Sequence, residues 1–306
     1  MIYLVVPCYN EQAVLESSDK QLQSILTGLP ADIKILYVDD GSTDKTWSII
    51  QANQRTAPDI VHGIRLAHNV GHQTALLAGI ETCVDMAEAI ITLDADLQDD
   101  IQVIPRMIED FYEGIDVVYG VRRARTSDAF LKRWTAQVFY RLQSLMGCDT
   151  IFNHADFRLM SQRAAKALLS YPERNLYLRG LVPLLGFHTK IEYYDRLPRM
   201  QGNTKYPVRK MMALALDGIT SFTTRPLHWI LIVGFVFVLI SLCVIVWALV
   251  SRLKGRTIEG WTSLLISVWF VGGCLLLALG IIGEYIGKVY AESKHRPRYH
   301  VMETTY

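Results

Sequence analysis

Short apolar runs and amphipathic stretches alternate through the first part of the chain. Residues 2–6, 33–38, 60–66, 89–93 and 117–121 are strand-length and rich in β-branched side chains. Between them, residues 12–26, 43–55, 74–84 and 101–111 carry helical spacing. This alternation predicts a Rossmann-like α/β domain: a largely parallel sheet covered on both faces, with its ligand at the carboxyl ends of the strands. Polar or turn-forming groups follow several of those ends, as in Pro7-Cys8-Tyr9-Asn10-Glu11, Asp39-Asp40-Gly41-Ser42 and His68-Asn69-Val70-Gly71.

After Gly120 the pattern changes. Residues 127–146 read as a helix with Phe130, Leu131, Trp134, Val138, Leu142 and Leu145 on one broad face and Lys132, Arg133 and Arg141 beside it. Such a helix lies on a bilayer or packs into a core, and the sequence leaves both open. Residues 207–222 have a similar character, and their place before a long apolar run favours the interface. Residues 229–250 and 261–283 contain no charged side chain, and each run is long enough to cross a hydrocarbon core of about 30 Å. The expected organisation is a catalytic domain over 1–206, a juxtamembrane amphipathic helix over 207–228, two transmembrane helices within 229–287 joined by a loop at 251–260, and a polar tail over 288–306.

Two spans put both flanking segments on one side of the membrane. Arg209, Lys210 and Arg225 before them and Lys288, Lys294, Arg296 and Arg298 after them suit the cytoplasmic face, although Arg252, Lys254 and Arg256 make the connecting loop equally basic. The cysteines Cys8, Cys83, Cys148, Cys243 and Cys274 are scattered and lack C-x-x-C spacing, which fits a reduced compartment and no zinc site. Residues 1–6 are too short for a signal peptide before Pro7. A formal net charge of +1 gives no reason to expect nucleic-acid binding. The absence of G-x-G-x-x-G and of a P-loop lysine motif argues against a dinucleotide enzyme or an NTPase.

The candidate chemistry centres on Asp94-Ala95-Asp96-Leu97-Gln98-Asp99-Asp100, which follows an apolar strand. Carboxylates gathered this closely need a neutralising cation, and Mg²⁺ favours one or two carboxylates together with substrate phosphates. Asp94 and Asp96 are read as the metal pair, and Asp99 and Asp100 as caps of the following helix. His68 and His72 stand four apart with no acid beside them in the sequence and are not read as a metal pair.

Several motifs resemble family 2 glycosyltransferases of the GT-A fold: the Pro7–Glu11 segment, Val38-Asp39-Asp40-Gly41-Ser42-Thr43-Asp44 and Asp94-Ala95-Asp96-Leu97-Gln98-Asp99. Tyr119-Gly120-Val121-Arg122-Arg123, Ala155-Asp156-Phe157-Arg158-Leu159-Met160, Pro172-Glu173-Arg174-Asn175, Leu216-Asp217-Gly218-Ile219-Thr220-Ser221-Phe222 and Gly280-Ile281-Ile282-Gly283-Glu284-Tyr285 extend the likeness. They resemble the polyisoprenyl-phosphate branch with two C-terminal spans, the GtrB-like bactoprenol glucosyltransferases, with dolichol-phosphate mannose synthases as cousins. The resemblance implies that Pro7, Tyr9 and Glu11 line a nucleotide pocket and that Asp39 hydrogen-bonds the base. It places Asp94 near ribose and metal, and gives Asp96 and Gln98 the role of Mg²⁺ or Mn²⁺ ligands. Asp156 matches the acid beside the acceptor phosphate, and Arg122, Arg123 and Lys205 match phosphate-binding positions, with Arg174 and Arg179 as further candidates. His68 and His72 replace basic residues common in relatives, and Ala155 a common glycine, which leaves the sugar open.

The implied reaction is metal-dependent, inverting transfer of glucose from UDP-glucose to undecaprenyl phosphate at the cytoplasmic membrane face. UDP-N-acetylglucosamine, GDP-mannose or an aminopentose donor remain as alternatives. Metal and guanidinium would stabilise the departing diphosphate, while the acceptor, a phosphate monoester with second pKa of about 6, hardly needs a base. Asp156 therefore reads as an orienting group or as the ion-pair partner of Arg158. A non-catalytic membrane scaffold and a lipid-sugar transporter component are the readings from other classes. Relatives imply a homo-oligomer, a tetramer by resemblance, and Gly272-Gly273 and Gly280 with Gly283 permit close helix packing.

Overall fold

All five expected strands form: β1 Ile2–Cys8, β2 Ile33–Asp39, β3 Val61–Leu66, β4 Ala89–Thr92 and β5 Val117–Arg122. The helices between them are α1 Leu15–Leu26, α2 Thr46–Thr56, α3 His72–Cys83 and α4 Ile104–Tyr112, the last preceded by a 3-10 turn at Ile101–Val103. Further along lie β6 His154–Ser161, α5 Gln162–Leu169, α6 Leu178–Leu184, β7 Thr189–Tyr194, α7 Arg225–Leu253, α8 Trp261–Ser293 and β8 Val301–Thr304. This computed structural model describes residues 1–123 apart from 27 and 30, and residues 154–173, 178–195, 225–253 and 260–305. The helices read at 127–146 and 207–222, together with Arg174, Lys205 and most of the basic loop after α7, lie outside the described residues.

The sheet has the order β7-β5-β6-β4-β1-β2-β3-β8. Its centre is parallel, with β1 paired to β2 and β4, and β2 to β3. The chain winds outward from β1 to β3 and then crosses back to β4 on the other side of β1, so a topological switch point falls between β1 and β4. β6 then enters antiparallel between β4 and β5. Its register sets Thr92 opposite Arg158, and continuing that register by two residues brings Asp94 level with Asp156.

Close packing of α3 on β1 and β2 depends on Gly79, where an added Cβ would sit 2.4 Å from Val5 Cγ1 and 2.8 Å from Val38 Cγ2. The apolar sides of β1, β2 and β4 are fully buried and form the core with Leu15, Leu22, Trp47 and Ile104. The hydrophobic run of each central strand therefore reflects cover on both faces.

The C-terminal segment differs from the expected polar tail. α8 continues to Ser293, and residues 301–304 form β8, an edge strand antiparallel to β3. Four residues with one apolar pair, Val301 and Met302, carry too little periodicity to be read as a strand from sequence.

The described residues form two compact units, one holding β1–β8 with α1–α6 and the other holding α7 and α8. Within the second unit Phe237 and Phe270 meet with ring centroids 5.7 Å apart. Large apolar side chains such as Trp229, Leu231, Leu276 and Leu277 are exposed along both helices. Among the described residues, Phe270–Ser293 is long and apolar enough to cross a membrane, with mean hydropathy 1.8, and Leu227–Phe237 is a shorter apolar helical stretch.

Candidate active site

Loops at the carboxyl ends of β1 and β2 are tied to each other. Asn10, with φ of 55°, donates its backbone N–H to Ser42 Oγ at 2.9 Å and accepts the Thr43 N–H at 2.9 Å. Glu11 N–H donates to Thr46 Oγ1 at 2.9 Å. Asp40 accepts the N–H groups of Val70 and Gly71 at 2.8 and 3.0 Å, which draws the loop before α3 onto β2. Gly41 has φ of 64°, and a Cβ there would lie 2.6 Å from the His68 carbonyl carbon. Gly41→Ala is expected to cost at least about 2 kcal/mol, from left-handed strain and backbone overlap together, and chemical denaturation of the purified protein checks it.

This framework carries the nucleotide-binding candidates. Pro7 is buried near the end of β1, and on the loop that follows Tyr9 is exposed and Glu11 partly exposed. Asp39 is fully buried, with Oδ1 accepting the Ser42 N–H at 3.1 Å and Oδ2 3.3 Å from Arg65 Nε. Burial raises its pKa against the opposing pull of the Ser42 bonds and Arg65.

The acidic turn after β4 divides differently from its expected roles. Asp96 Oδ2 accepts the Gln98 side-chain amide at 2.8 Å, and Leu97 between them has φ of 44°, a left-handed conformation rare for a leucine. Asp100 does cap the next turn, accepting the Gln102 N–H at 3.0 Å. Asp99 does not act as a cap. It is buried, and its Oδ1 accepts Arg122 Nε at 3.1 Å, Arg122 Nη2 at 2.7 Å and the Tyr194 hydroxyl at 2.6 Å. Tyr194 comes from β7, an element the sequence pattern did not reveal, so the partner that draws Asp99 inward was not visible. Arg123, beside this pair, is exposed.

The register of β4 and β6 brings the second acid to the same rim. Asp156 is buried, with Oδ1 2.7 Å from Arg158 Nη2 and Oδ2 3.1 Å from Arg179 Nη2. The ion pair with Arg158, weighed from sequence as an alternative, is present, and Arg158 is itself buried and also donates to the Leu178 carbonyl. Arg179, on α6, is partly exposed and extends the array outward. Burial opposes ionisation of Asp156, but Arg179, the bond from His72 and Arg158 outweigh it and hold the carboxyl well below its ordinary range.

His72, the first residue of α3, lies between the two acids. Its Nε2 is 3.4 Å from Asp94 Oδ1 and 3.5 Å from Asp156 Oδ2. Burial opposes its protonation, yet the bond to Asp156 and the charges of Asp94 and Asp156 raise its pKa. The absence of a neighbouring acid in the sequence was therefore misleading, since the sheet supplies two. Asp94 is pushed up to about 6 by burial and by the carboxylates of Asp156, Asp99 and Asp96, against the pull of His72.

Asp94, Asp96 and Gln98 are the residues that would hold a divalent ion. Among the described residues no three His, Cys, Asp or Glu side chains gather around a metal position. The protein would offer two carboxylates and an amide oxygen, a donor set that leaves positions for substrate phosphates as Mg²⁺ prefers. The crowding that raises Asp94 is of the kind a bound cation relieves.

A mostly parallel α/β sheet with carboxylates, a histidine and arginines at its switch point is a fold and site suited to transferring a group from an anionic donor. Residues 3–169 match the family described as Glycosyl transferase family 2. Over 305 residues the chain is 47% identical to the uncharacterized glycosyltransferase YkoT of Bacillus subtilis (strain 168), covering 98% of this chain and 90% of that one. It is 39% identical over 300 residues to the bactoprenol glucosyl transferase of Shigella phage SfV, covering 97% of each. A solved glucosyl-3-phosphoglycerate synthase from Mycobacterium tuberculosis overlays with a TM-score of 0.49 at 18% identity, covering 72% of this chain and 78% of that one. The chain belongs to glycosyltransferase family 2.

Proposed function

We propose that the chain transfers glucose from UDP-glucose to a polyprenyl phosphate, undecaprenyl phosphate in bacteria, at the cytoplasmic face of a membrane that α7 and α8 both span. The observation that carries this reading is the meeting of Asp94 and Asp156 from adjacent strands, with His72 between them and Arg179 reaching outward. Support for the acceptor comes from the bactoprenol glucosyl transferase that aligns over 97% of this chain, and from the uncharged runs in α7 and α8.

In this reading Pro7, Tyr9, Glu11 and Asp39 receive the nucleotide, while Asp94, Asp96 and Gln98 would hold Mg²⁺ or Mn²⁺ against its diphosphate. When bound, the ion supplies electrostatic stabilisation of the leaving diphosphate. An oxygen of the acceptor phosphate attacks the anomeric carbon as the bond to the diphosphate breaks, and the departing nucleotide keeps the electron pair, so configuration inverts. Asp156 removes no proton. It anchors Arg179, Arg158 and His72 so that Arg179 meets the incoming phosphate with its geometry fixed. Lys205 is assigned to the acceptor phosphate by its motif alone, and Arg123 to the donor phosphates, because the Arg122 guanidinium is committed to Asp99 and Tyr194. The protein works as a homo-oligomer in the membrane.

Purified protein given Mg²⁺, undecaprenyl phosphate and a panel of nucleotide sugars tests the donor. UDP-glucose should be consumed at least about tenfold faster than GDP-mannose, UDP-N-acetylglucosamine or an aminopentose donor, a discrimination within reach of a few hydrogen bonds. Faster turnover of another donor would overturn the glucose assignment.

A further inference from the structure

We infer that Tyr194, at the end of β7, is a positioning residue for the metal-binding turn after β4: its hydroxyl fixes Asp99, and through Asp99 the adjoining Gln98 and Asp96. This role rests on the reading of Asp96 and Gln98 as ligands of the divalent ion.

β5 and β7 run parallel, in a register that sets Arg122 directly opposite Tyr194 at their carboxyl ends. Both side chains converge on one oxygen. Asp99 Oδ1 accepts the Tyr194 hydroxyl at 2.6 Å and Arg122 Nη2 at 2.7 Å, while Arg122 Nε also donates to the Tyr194 oxygen at 3.3 Å. Among the described residues Asp99 Oδ2 has no hydrogen-bond partner, so the carboxylate is held through Oδ1 alone. Arg122 is a long, partly exposed side chain that can move with its partner, whereas Tyr194 is buried and cannot. The phenol is therefore the fixed end of the array.

Tyr194 is itself held on two sides. Its ring meets Phe157 edge-on with centroids 5.7 Å apart, and its backbone carbonyl accepts the Arg123 N–H at 2.9 Å. Gly120 leaves the space in which the two rings meet, since a Cβ there would lie 2.7 Å from Phe157 Cδ1 and 3.1 Å from Tyr194 Cε1. On the other side of Asp99, the Gln98 amide donates to Asp96 Oδ2 at 2.8 Å across Leu97, whose φ is 44°. A left-handed leucine persists only where its surroundings over-determine it. The anchored Asp99, two residues beyond Leu97, supplies that constraint.

The full-length protein and its Tyr194→Phe, Asp99→Ala and doubly substituted variants are compared by UDP affinity in Mg²⁺ and in chelator, and by KM for each substrate. Tyr194→Phe keeps the ring against Phe157 and removes only the hydroxyl. It should weaken UDP binding in Mg²⁺ and raise the KM for the nucleotide sugar about tenfold, the scale of one hydrogen bond to a charged group, with UDP affinity in chelator and the lipid KM within about twofold. In the Asp99→Ala background the same substitution should cost no more than about twofold further, because the hydroxyl acts through that carboxylate. Unchanged UDP affinity of Tyr194→Phe in Mg²⁺, equal losses with and without the metal, or fully additive losses in the double variant would each overturn the inference. Should Asp99→Ala fail to fold, the comparison of Tyr194→Phe in Mg²⁺ and in chelator decides alone. UDP binding by the unmodified protein that ignores Mg²⁺ would instead remove the metal reading and this inference with it.

Discussion

Asp156→Asn is expected to lower kcat about 100-fold and to leave the pH profile flat above neutrality. The carboxylate lies between Arg158 and Arg179 and faces His72, and these cations hold its pKa well below the ordinary range. A carboxylate so stabilised is a poor proton acceptor, and a phosphate acceptor with second pKa of about 6 has little proton to give at neutral pH. The loss should therefore come from misplaced cations, and neither added base nor higher pH should restore the rate. A steep new dependence on pH, or rescue by a small exogenous base, would make Asp156 the general base after all.

The same substitution has a structural cost that must be read separately. Arg158 is buried, and removing its partner charge costs about 3–5 kcal/mol. Because the folded pKa of Asp156 is depressed, its contribution to stability is complete above the unfolded carboxylate pKa of about 3.9 and is lost as pH falls through the folded value. The variant should accordingly show a weaker loss of stability on acidification. UDP affinity and the denaturation midpoint separate a misfolded protein from one folded but slow.

Asp96→Asn is expected to remove about 10³-fold of activity, together with the metal-dependent part of UDP binding. Asp96 is held by the Gln98 amide across the left-handed turn at Leu97, so the side chain is already oriented before any ion arrives. Its exchange for Asn would remove one of the two carboxylates assigned to the ion, and among the described residues no group of three His, Cys, Asp or Glu side chains is placed to hold a metal instead. UDP titrations with Mg²⁺ and with a chelator give the test: the two curves should differ for the parent and coincide for Asp96→Asn. Retention of the metal effect in the variant would move the metal elsewhere.

The central strands and the polar rim were legible because β-branched runs buried on both faces leave a strong pattern and are followed at once by turn residues. Asp94, Asp96, Asp39 and Asp156 could be singled out because acids at strand ends and family motifs coincide there. His72 could not be joined to them from sequence, since its two partners lie on β4 and β6 and meet it only through the parallel crossover and the antiparallel insertion. Asp99 was misread for a related reason: a cap is a local interaction visible in sequence, whereas its actual partners Arg122 and Tyr194 come from β5 and β7. β8 is too short to announce itself, and its role depends on pairing with a strand from the other end of the chain.

The most direct measurement is the mass and anomeric configuration of the lipid product formed when the purified protein, in liposomes with Mg²⁺, is given UDP-glucose and undecaprenyl phosphate. The expected product carries one hexose on the phosphate, with inverted configuration, and appears in step with released UDP. Release of UDP with free glucose, or an unchanged lipid, would contradict transfer to a polyprenyl phosphate.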